Sequence, residues 1–514
     1  MPASGADDMA SADIAAGSLR ARSFVAVALV VGFYALALSV AGILIYVPLV
    51  AAERERQSPL VILWLAAGVV LWSVFPRRRR FEPPGALLSR AKEPGLFALV
   101  DEVARAADQP RPAEVYIVRE MNAWVASRGG VMGVGGRRVL SIGLPLLERL
   151  TVLQLKSVLA HEYGHYRGGD VRLLPLIYQT RAAIGRTVTT LAESGATLVH
   201  FVHLPFLWYG QFFLRFTRAL SRAQELRADA LAVRIAGRDA ATGALNVLHR
   251  EGVLFEAYWR GLVVPVLRAG YRPPLVRGFD LFLSNGTAAN RLGEVTAESS
   301  SQREADPYDT HPSFAERLAH IQALPETEEA QVASDDRLAM SVVAEARSME
   351  SDLLSAIAPD PDAALRLREV EWDRAMPAVW PDVWRTRARN ASSALGAMTA
   401  ATAPATRSGL ESLGRRILGP ATRYSPALAA HTAGRIIAGA VACVLIQEGW
   451  ALELLPGAPA VFRKAGVDLR PFEVMQAIAR GDASSERWRQ VHEAAQISDR
   501  PLVDGHMSTP SNNP

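Results

Sequence analysis

The chain has 514 residues, half of them apolar and about a fifth charged, which excludes a disordered chain and leaves room for two or three domains with sizeable cores. A formal net charge of +4 at this length, with no basic stripe interleaved with aromatics, argues against a nucleic-acid partner. The single cysteine, Cys443, excludes a disulfide framework and a cysteine-based zinc site within one chain.

Residues 24–50 form a 27-residue stretch without a charge. A helix rising about 1.5 Å per residue needs about 20 apolar residues to cross a bilayer core, so this one spans with some tilt. A second apolar stretch, 60–75, has 16 residues, and Ser58, Pro59 and Pro76 at its flanks bring it close to a full crossing. The rival reading is a cleaved signal peptide ending at Val50-Ala51-Ala52. Its apolar core is then far too long, and a second span follows at once. The expectation for residues 1–80 is a transmembrane helical hairpin, with the lipid bilayer as partner. Arg20 and Arg22 precede the hairpin and Arg77 to Arg80 follow it, whereas the connecting loop carries only Arg54 and Arg56. That bias puts both outer flanks, and the domain that follows, on the cytoplasmic side of the cell membrane.

Residues 115–118 and 139–142 are short β-branched runs, with Gly129-Gly130 and Gly135-Gly136 between them, and read as a small sheet with hairpin turns. The glycines are not a phosphate loop, since no Gly-Lys-Ser/Thr follows. Thr151 and Gln154 make a capping box, so a helix starts there, and Gly168-Gly169 supply its stop. Within it, His161 and His165 are four apart and share one face, a spacing that lets two imidazoles reach one tetrahedral ion. Glu162 lies beside them, where a carboxylate can take a proton from a metal-activated water. The bland reading is a surface helix with two solvated histidines. Val158, Leu159 and Ala160 run straight into the motif and weigh against it.

Residues 196–214 carry no Lys, Arg, Asp or Glu. Because the histidines and the acids downstream must meet one ion, the chain between them crosses any membrane an even number of times. The partner, 182–192, is short and contains Arg186, which favours a hairpin that dips into or lies against the bilayer. His200 and His203 are three apart and read as interfacial or packing residues rather than a second metal pair. A long helix from about 206 to 236 follows. On it Glu225 and Asp229 are four apart: Glu225 completes the metal site, and Asp229 reaches the free ring nitrogen of a ligand histidine. These residues alone specify a zinc hydrolase.

His161-Glu162-Tyr163-Gly164-His165, Ser221-Arg222-Ala223-Gln224-Glu225-Leu226-Arg227-Ala228-Asp229, Thr310-His311-Pro312 with Glu316-Arg317, and Asn122-Ala123 together resemble a known family. This is the gluzincin membrane peptidases that include HtpX and the CAAX prenyl endopeptidase, and the resemblance runs from about 94 to 324. It implies one Zn2+ per chain and endopeptidase activity on a protein or peptide substrate, with Glu162 as base. It also makes 122–127 the candidate edge strand that holds substrate by strand addition. His311, delivered by a polar loop over 285–309, is placed near the zinc with two roles open. Either it occupies the fourth metal position and holds the enzyme latent, or His311 or Arg317 hydrogen-bonds the oxyanion. The bland reading is that His311 and Pro312 merely start a helix.

The zinc domain is thus expected over 81–330, an α+β zincin-type domain that is mainly α with a small sheet. A helical accessory region with a polar tail follows over 331–514. There, helical patterns recur at 336–357, 361–389 and 426–495, an Ala/Ser/Thr-rich linker or loose helix covers 390–406, and Cys443 sits in the apolar run 436–446 as a small buried hydrophobe. The rival from another class is a non-proteolytic membrane scaffold or chaperone that keeps zinc for structure.

Overall fold

The computed structural model describes residues 4–52, 61–75, 81–129, 136–166, 174–192, 197–285, 312–325, 335–358, 360, 366–419 and 424–503. The chain is mainly helical with small sheets and divides into two units, 1–252 with 300–357 and 253–299 with 358–514. Residues 253–299, which precede the sequence boundary at 330, thus cluster with the C-terminal part, and 331–357 with the first unit.

In the first unit, α1 (Ser4–Ala52) and α2 (Val61–Val74) carry the two apolar stretches. After β1 (Ala86–Leu87) and α3 (Pro94–Ala106) come β2 (Glu114–Val118), β3 (Ala123–Arg128) and β4 (Arg137–Gly143). Their sheet has the order β1-β2-β4-β3. The hairpin reading holds for β3 and β4, which are antiparallel, whereas β2 and β4 run parallel and β3 is left at the edge. Next are α4 (Leu144–Arg149), α5 (Val152–Gly164), α6 (Leu174–Ala192), α7 (Thr197–Ala236) and α8 (Arg238–Tyr258). Leu155 and Leu159 of α5 are fully buried, each contributing roughly 1.5–3 kcal/mol of apolar burial to anchor the helix.

α1, α2, α6 and the first half of α7 pack as a four-helix bundle around Phe33, Val70, Ile184, Phe206 and Phe213. Small residues such as Ala26, Ala37, Ala66 and Ala67 at its centre let the helices approach closely. Tyr209 donates its hydroxyl to the Leu29 carbonyl, and Arg186 donates to the Ser73 carbonyl at 3.2 Å. The outward face stays apolar: Leu38, Trp72, Trp208 and Phe212 are all more than half exposed. The partner of the 196–214 stretch is therefore a 19-residue helix, longer than 182–192. It begins at Leu174, and Gln179, Thr180 and Arg181 in its second turn break the apolar run that a reading by apolarity follows.

Past α8, a π-helical turn (Trp259–Val263), α9 (Val264–Arg268) and α10 (Leu275–Ser284) belong to the second unit. α11 (Phe314–Ala323) and α12 (Ala346–Ile357) return to the first. The second unit continues with α13 (Trp372–Asn390), α14 (Ser392–Leu395), α15 (Arg407–Leu418) and α16 (Pro426–Gln447). The 390–406 segment is not a loose linker: Leu395, Ala400 and Ala403 are buried, and Trp488 donates to the Ala400 carbonyl at 2.8 Å. The expected helical portion 426–495 is interrupted by a three-stranded sheet, β7 (Ala451–Glu453), β8 (Val461–Lys464) and β9 (Val467–Leu469), before α17 (Pro471–Arg480) and α18 (Ser485–Ala494). (Short strands β5 (Tyr271–Arg272) and β6 (Arg368–Glu369) pair in the same unit.) Among the described helices, residues 24–50 of α1 and all of α16 are long and apolar enough to cross a membrane, and two thirds of the α16 stretch is buried inside its own unit.

Candidate metal centre

The cap at the start of α5 forms as the sequence indicates: Gln154 N–H donates to the Thr151 hydroxyl at 3.2 Å, and Thr151 N–H to the Gln154 side chain at 3.0 Å. The helix stops earlier than Gly168-Gly169, at Gly164, with His165 as its last helical-geometry residue. Gly168 and Gly169 lie outside the described residues. A Cβ on Gly164 would stand 2.7 Å from the Cα of Ala228, so α5 and α7 cross there, backbone against backbone. Any larger residue would separate the two helices. The crossing adjoins His165 on α5, about one turn past His161, and adjoins Asp229 on α7, about one turn past Glu225.

The three expected ligands meet. His161 Nε2 lies 3.5 Å and His165 Nε2 3.8 Å from the Glu225 carboxylate, and the two rings stand perpendicular with centroids 4.9 Å apart. Donors each about 2 Å from a tetrahedral ion lie about 3.3 Å apart, so the set fits zinc. Glu162 joins the group, its carboxylate and both imidazoles lying within 4.8 Å of one another. Behind His161, Nδ1–H donates to Asp229 at 2.9 Å, which leaves Nε2 as the nitrogen facing Glu225. Asp229 is in turn gripped by Arg317 of α11 through two hydrogen bonds, Nε at 3.0 Å and Nη2 at 2.6 Å. α11 is positioned by its own capping box, Ser313 with Glu316, and by an ion pair between Glu316 and Arg222 of α7.

The electrostatics match a divalent cation. Glu162, Glu225 and Asp229 with Arg317 sum to −2 when ionised, and all are mostly buried. Burial pushes Glu162 up to about 7. Burial opposes charge on His161, but hydrogen bonds to Asp229 and Glu225 prevail and raise it to about 9. Burial and its neighbour His161 push His165 down to about 4. The Asp229 carboxyl is buried, yet its bonds to His161 and Arg317 hold it below the ordinary range.

β3 runs beside this group. Asn122 C=O accepts from Gly143 N–H at 2.9 Å, so with period two the main-chain groups of Ala123 and Val125 face away from β4. A Cβ on Gly143 would clash with the Glu120 carbonyl at 2.0 Å, so this close turn tolerates only glycine. Val125 is already engaged: its N–H bonds the Glu162 carboxylate, and its C=O accepts from the Tyr166 hydroxyl at 2.6 Å. Ala123 N–H is taken by its neighbour Asn122 Oδ1 at 2.9 Å. Tyr166 is a participant that sequence reasoning missed, and Val125, which it placed on the candidate edge strand, was not tied there to Glu162. Tyr166 follows His165 directly, but its reach to β3 depends on the helix ending at Gly164. His311 lies outside the described residues; Pro312 beyond it is buried. His203 is buried on α7, and no second histidine metal group occurs among the described residues.

Residues 90–325 match the model of Peptidase family M48. Over 208 residues the chain is 29% identical to a protein named "Protease HtpX homolog 1" of Streptomyces coelicolor, covering 38% of this chain and 66% of that one. It is 24% identical over 299 residues to "Protease HtpX homolog 2" of Methanosarcina mazei, covering 55% and 84%. The chain thus spans just under two thirds of the Streptomyces relative. The crystal structure of S. mikatae Ste24p aligns with a TM-score of 0.26 and 14% identity over 56% of this chain and 63% of that one, too slight an overlap to equate the two folds.

Proposed function

Since the chain belongs, over residues 90–325, to peptidase family M48, of the HtpX and CAAX-protease type, we propose that it is a membrane-anchored, zinc-dependent endopeptidase that hydrolyses peptide bonds of protein substrates. The observation that carries this reading is the convergence of His161, His165 and Glu225 with Glu162 beside them. A zinc ion held by the first three would polarise a peptide carbonyl and acidify a water near neutral pH. Glu162 takes the proton of the attacking water and returns it to the leaving amine nitrogen. Burial raises the Glu162 carboxyl in the metal-free protein and a bound cation would bring it down again, so the group can both take and return a proton. The hydrogen bond from Val125 N–H keeps its carboxylate aimed along β3. Asp229 fixes the tautomer of His161, and Arg317 fixes Asp229. The outward carbonyl of Ala123, beside Asn122 at the edge strand, is the main-chain acceptor for the substrate backbone. A scaffold holding zinc for structure would use four protein ligands; three ligands and a glutamate placed for proton transfer favour the enzyme.

The four-helix bundle, with its apolar outer face, is the membrane anchor in this reading, and the arginines at 77–80 put the zinc domain on the cytoplasmic side. Membrane-protein quality control or processing is the role that fits this placement. The test of the metal assignment is elemental analysis of purified variants. One zinc per chain is expected in the native protein, with strong depletion in His165→Ala and Glu225→Ala, since whole sites are worth about 10–16 kcal/mol and each ligand a sizeable share. Full zinc in Glu225→Ala would remove that residue from the site.

A further inference from the structure

Past Gly164, the last residue of α5, the N–H of Tyr166 donates to the Tyr163 carbonyl at 2.9 Å and carries the turn on for two residues. Glu162 and Tyr166 are therefore four apart on one face, as His161 and His165 are on theirs. Both side chains reach the same residue of β3. The Glu162 carboxylate accepts the Val125 N–H, and the Tyr166 hydroxyl donates to the Val125 carbonyl at 2.6 Å. β3 is an edge strand paired with β4 alone, so these two bonds are what hold the outward main chain of Val125 among the described residues. Tyr166 is fixed in turn. The Arg138 guanidinium of β4 lies 4.9 Å from its ring centroid and donates to the Gln109 side chain at 2.6 Å.

We infer that Tyr166 is a positioning residue for Glu162: its hydroxyl pins Val125 of β3 against the end of α5, which keeps the Val125 N–H on the Glu162 carboxylate. This rests on the endopeptidase reading above and adds a residue that aims the base. A phenol has one proton to donate, and that of Tyr166 is spent on Val125, so in this arrangement it has none for a substrate or an oxyanion. Its influence on the reaction therefore runs through the strand. Without the hydroxyl, the Val125 carbonyl loses its partner on the side away from β4, and the edge of the sheet is free to shift there. The N–H on the same α-carbon shifts with it, and a base turned from its aim by even about 1 Å loses much of its rate. Substrate capture by the Ala123 carbonyl, two residues away, does not depend on this bond, so the loss falls on turnover rather than on binding.

The experiment compares the zinc-loaded native protein with Tyr166→Phe, which keeps the ring under Arg138 and removes only the donor, and with Tyr163→Phe as a control. Tyr163 is buried on the same helix and its hydroxyl meets no hydrogen-bond partner among the described residues, so its loss should leave turnover as it is. Kinetics on a fluorogenic peptide built around a cleavage site mapped in casein should show kcat lowered about tenfold to a hundredfold in Tyr166→Phe, with KM and zinc content within about twofold of native. The second measurement is hydrogen exchange at the Val125 amide, read by mass spectrometry, which should be about tenfold or more faster in Tyr166→Phe. If the native protein cleaves nothing, the endopeptidase reading falls while the exchange still tests the brace. Should Tyr166→Phe fail to fold, Arg138→Gln, which takes the cation off the ring, should show the same two changes at smaller size. In the variant that folds, unchanged kcat, a raised KM with unchanged kcat, or unaltered exchange at Val125 overturns the inference.

Discussion

Gly164 has no room for a side chain, and the reason is chemical as well as steric. The Cβ of Gly164→Ala would sit 2.7 Å from Ala228 Cα and 3.0 Å from its Cβ, so α5 and α7 would have to part. Overpacking of this kind costs about 1–3 kcal/mol, and here the separation also pulls the histidines away from Glu225. The variant should unfold at a lower temperature and lose zinc together; a stable protein with full zinc would mean that the crossing is slack. Arg317→Ala should keep the fold and weaken metal affinity or activity about 10–100-fold, as loss of a group behind a ligand does. An unaffected variant would reduce Arg317 to a surface cation. Metal uptake should also depend on pH. In the metal-free protein His161 is raised to about 9, so below that pH a proton competes for its ring. Zinc binding at pH 7.5 should therefore release protons, and affinity should rise by up to about tenfold per pH unit until pH approaches 9. Calorimetry in buffers of different ionisation enthalpy reads this directly, and zero proton release would contradict it. At this scale the sequence was informative wherever two functional groups share a helix, as His161 with His165 or Glu225 with Asp229. It was silent on the bonds from Val125 to Glu162 and from Tyr166 to Val125, which arise only when β3 and α5 lie side by side.

Among the elements, those with strong local signals were legible. The capping box at Thr151 and Gln154 marked the start of α5, and β-branched runs marked β2 and β4. The end of α5 was misplaced because Gly164, which is there for packing against Ala228, coincides with the last turn, while attention falls on the paired glycines further on. The C-terminal sheet was missed for a different reason. Its β8–β9 turn has positive φ at Ala465 and Gly466, 50° and 81°, where asparagine or aspartate is the usual first residue and announces the hairpin. Arg181 and Arg186 obscured α6. They are accommodated by polar partners, Thr217 and the Ser73 carbonyl, rather than by solvent alone. The bundle yields a prediction of its own. Single cysteines at Leu204 or Phe212, on the outer face of α7, should resist a membrane-impermeant maleimide in vesicles and react once detergent is added. Background from the native thiol is low, since burial pushes Cys443 up to about 11. Labelling in intact vesicles would take this helix pair out of the bilayer.

For the whole molecule, the two units carry unequal shares of the account. The described ligand residues, Glu162, Asp229 and Arg317 all fall in the first, within the stretch that matches the family, whereas the second contributes helices and small sheets to which no chemistry is assigned. Composition at this scale set the apolar hairpin of 1–80 apart from 81–330, because apolar runs and arginine clusters need no tertiary knowledge to be read, whereas packing joins the two in one unit, α1 and α2 lying against α6 and α7. It did not reveal that 253–299 joins the C-terminal part, since such membership depends on packing partners distant in sequence. The central claim is that Glu162 moves the proton in peptide hydrolysis at a metal held by its neighbours. The direct measurement is casein cleavage by native protein and Glu162→Gln, each assayed for zinc. Native cleavage, with full zinc in both and turnover in the variant lowered at least about a hundredfold, is the predicted result. Equal cleavage by the two proteins would contradict it.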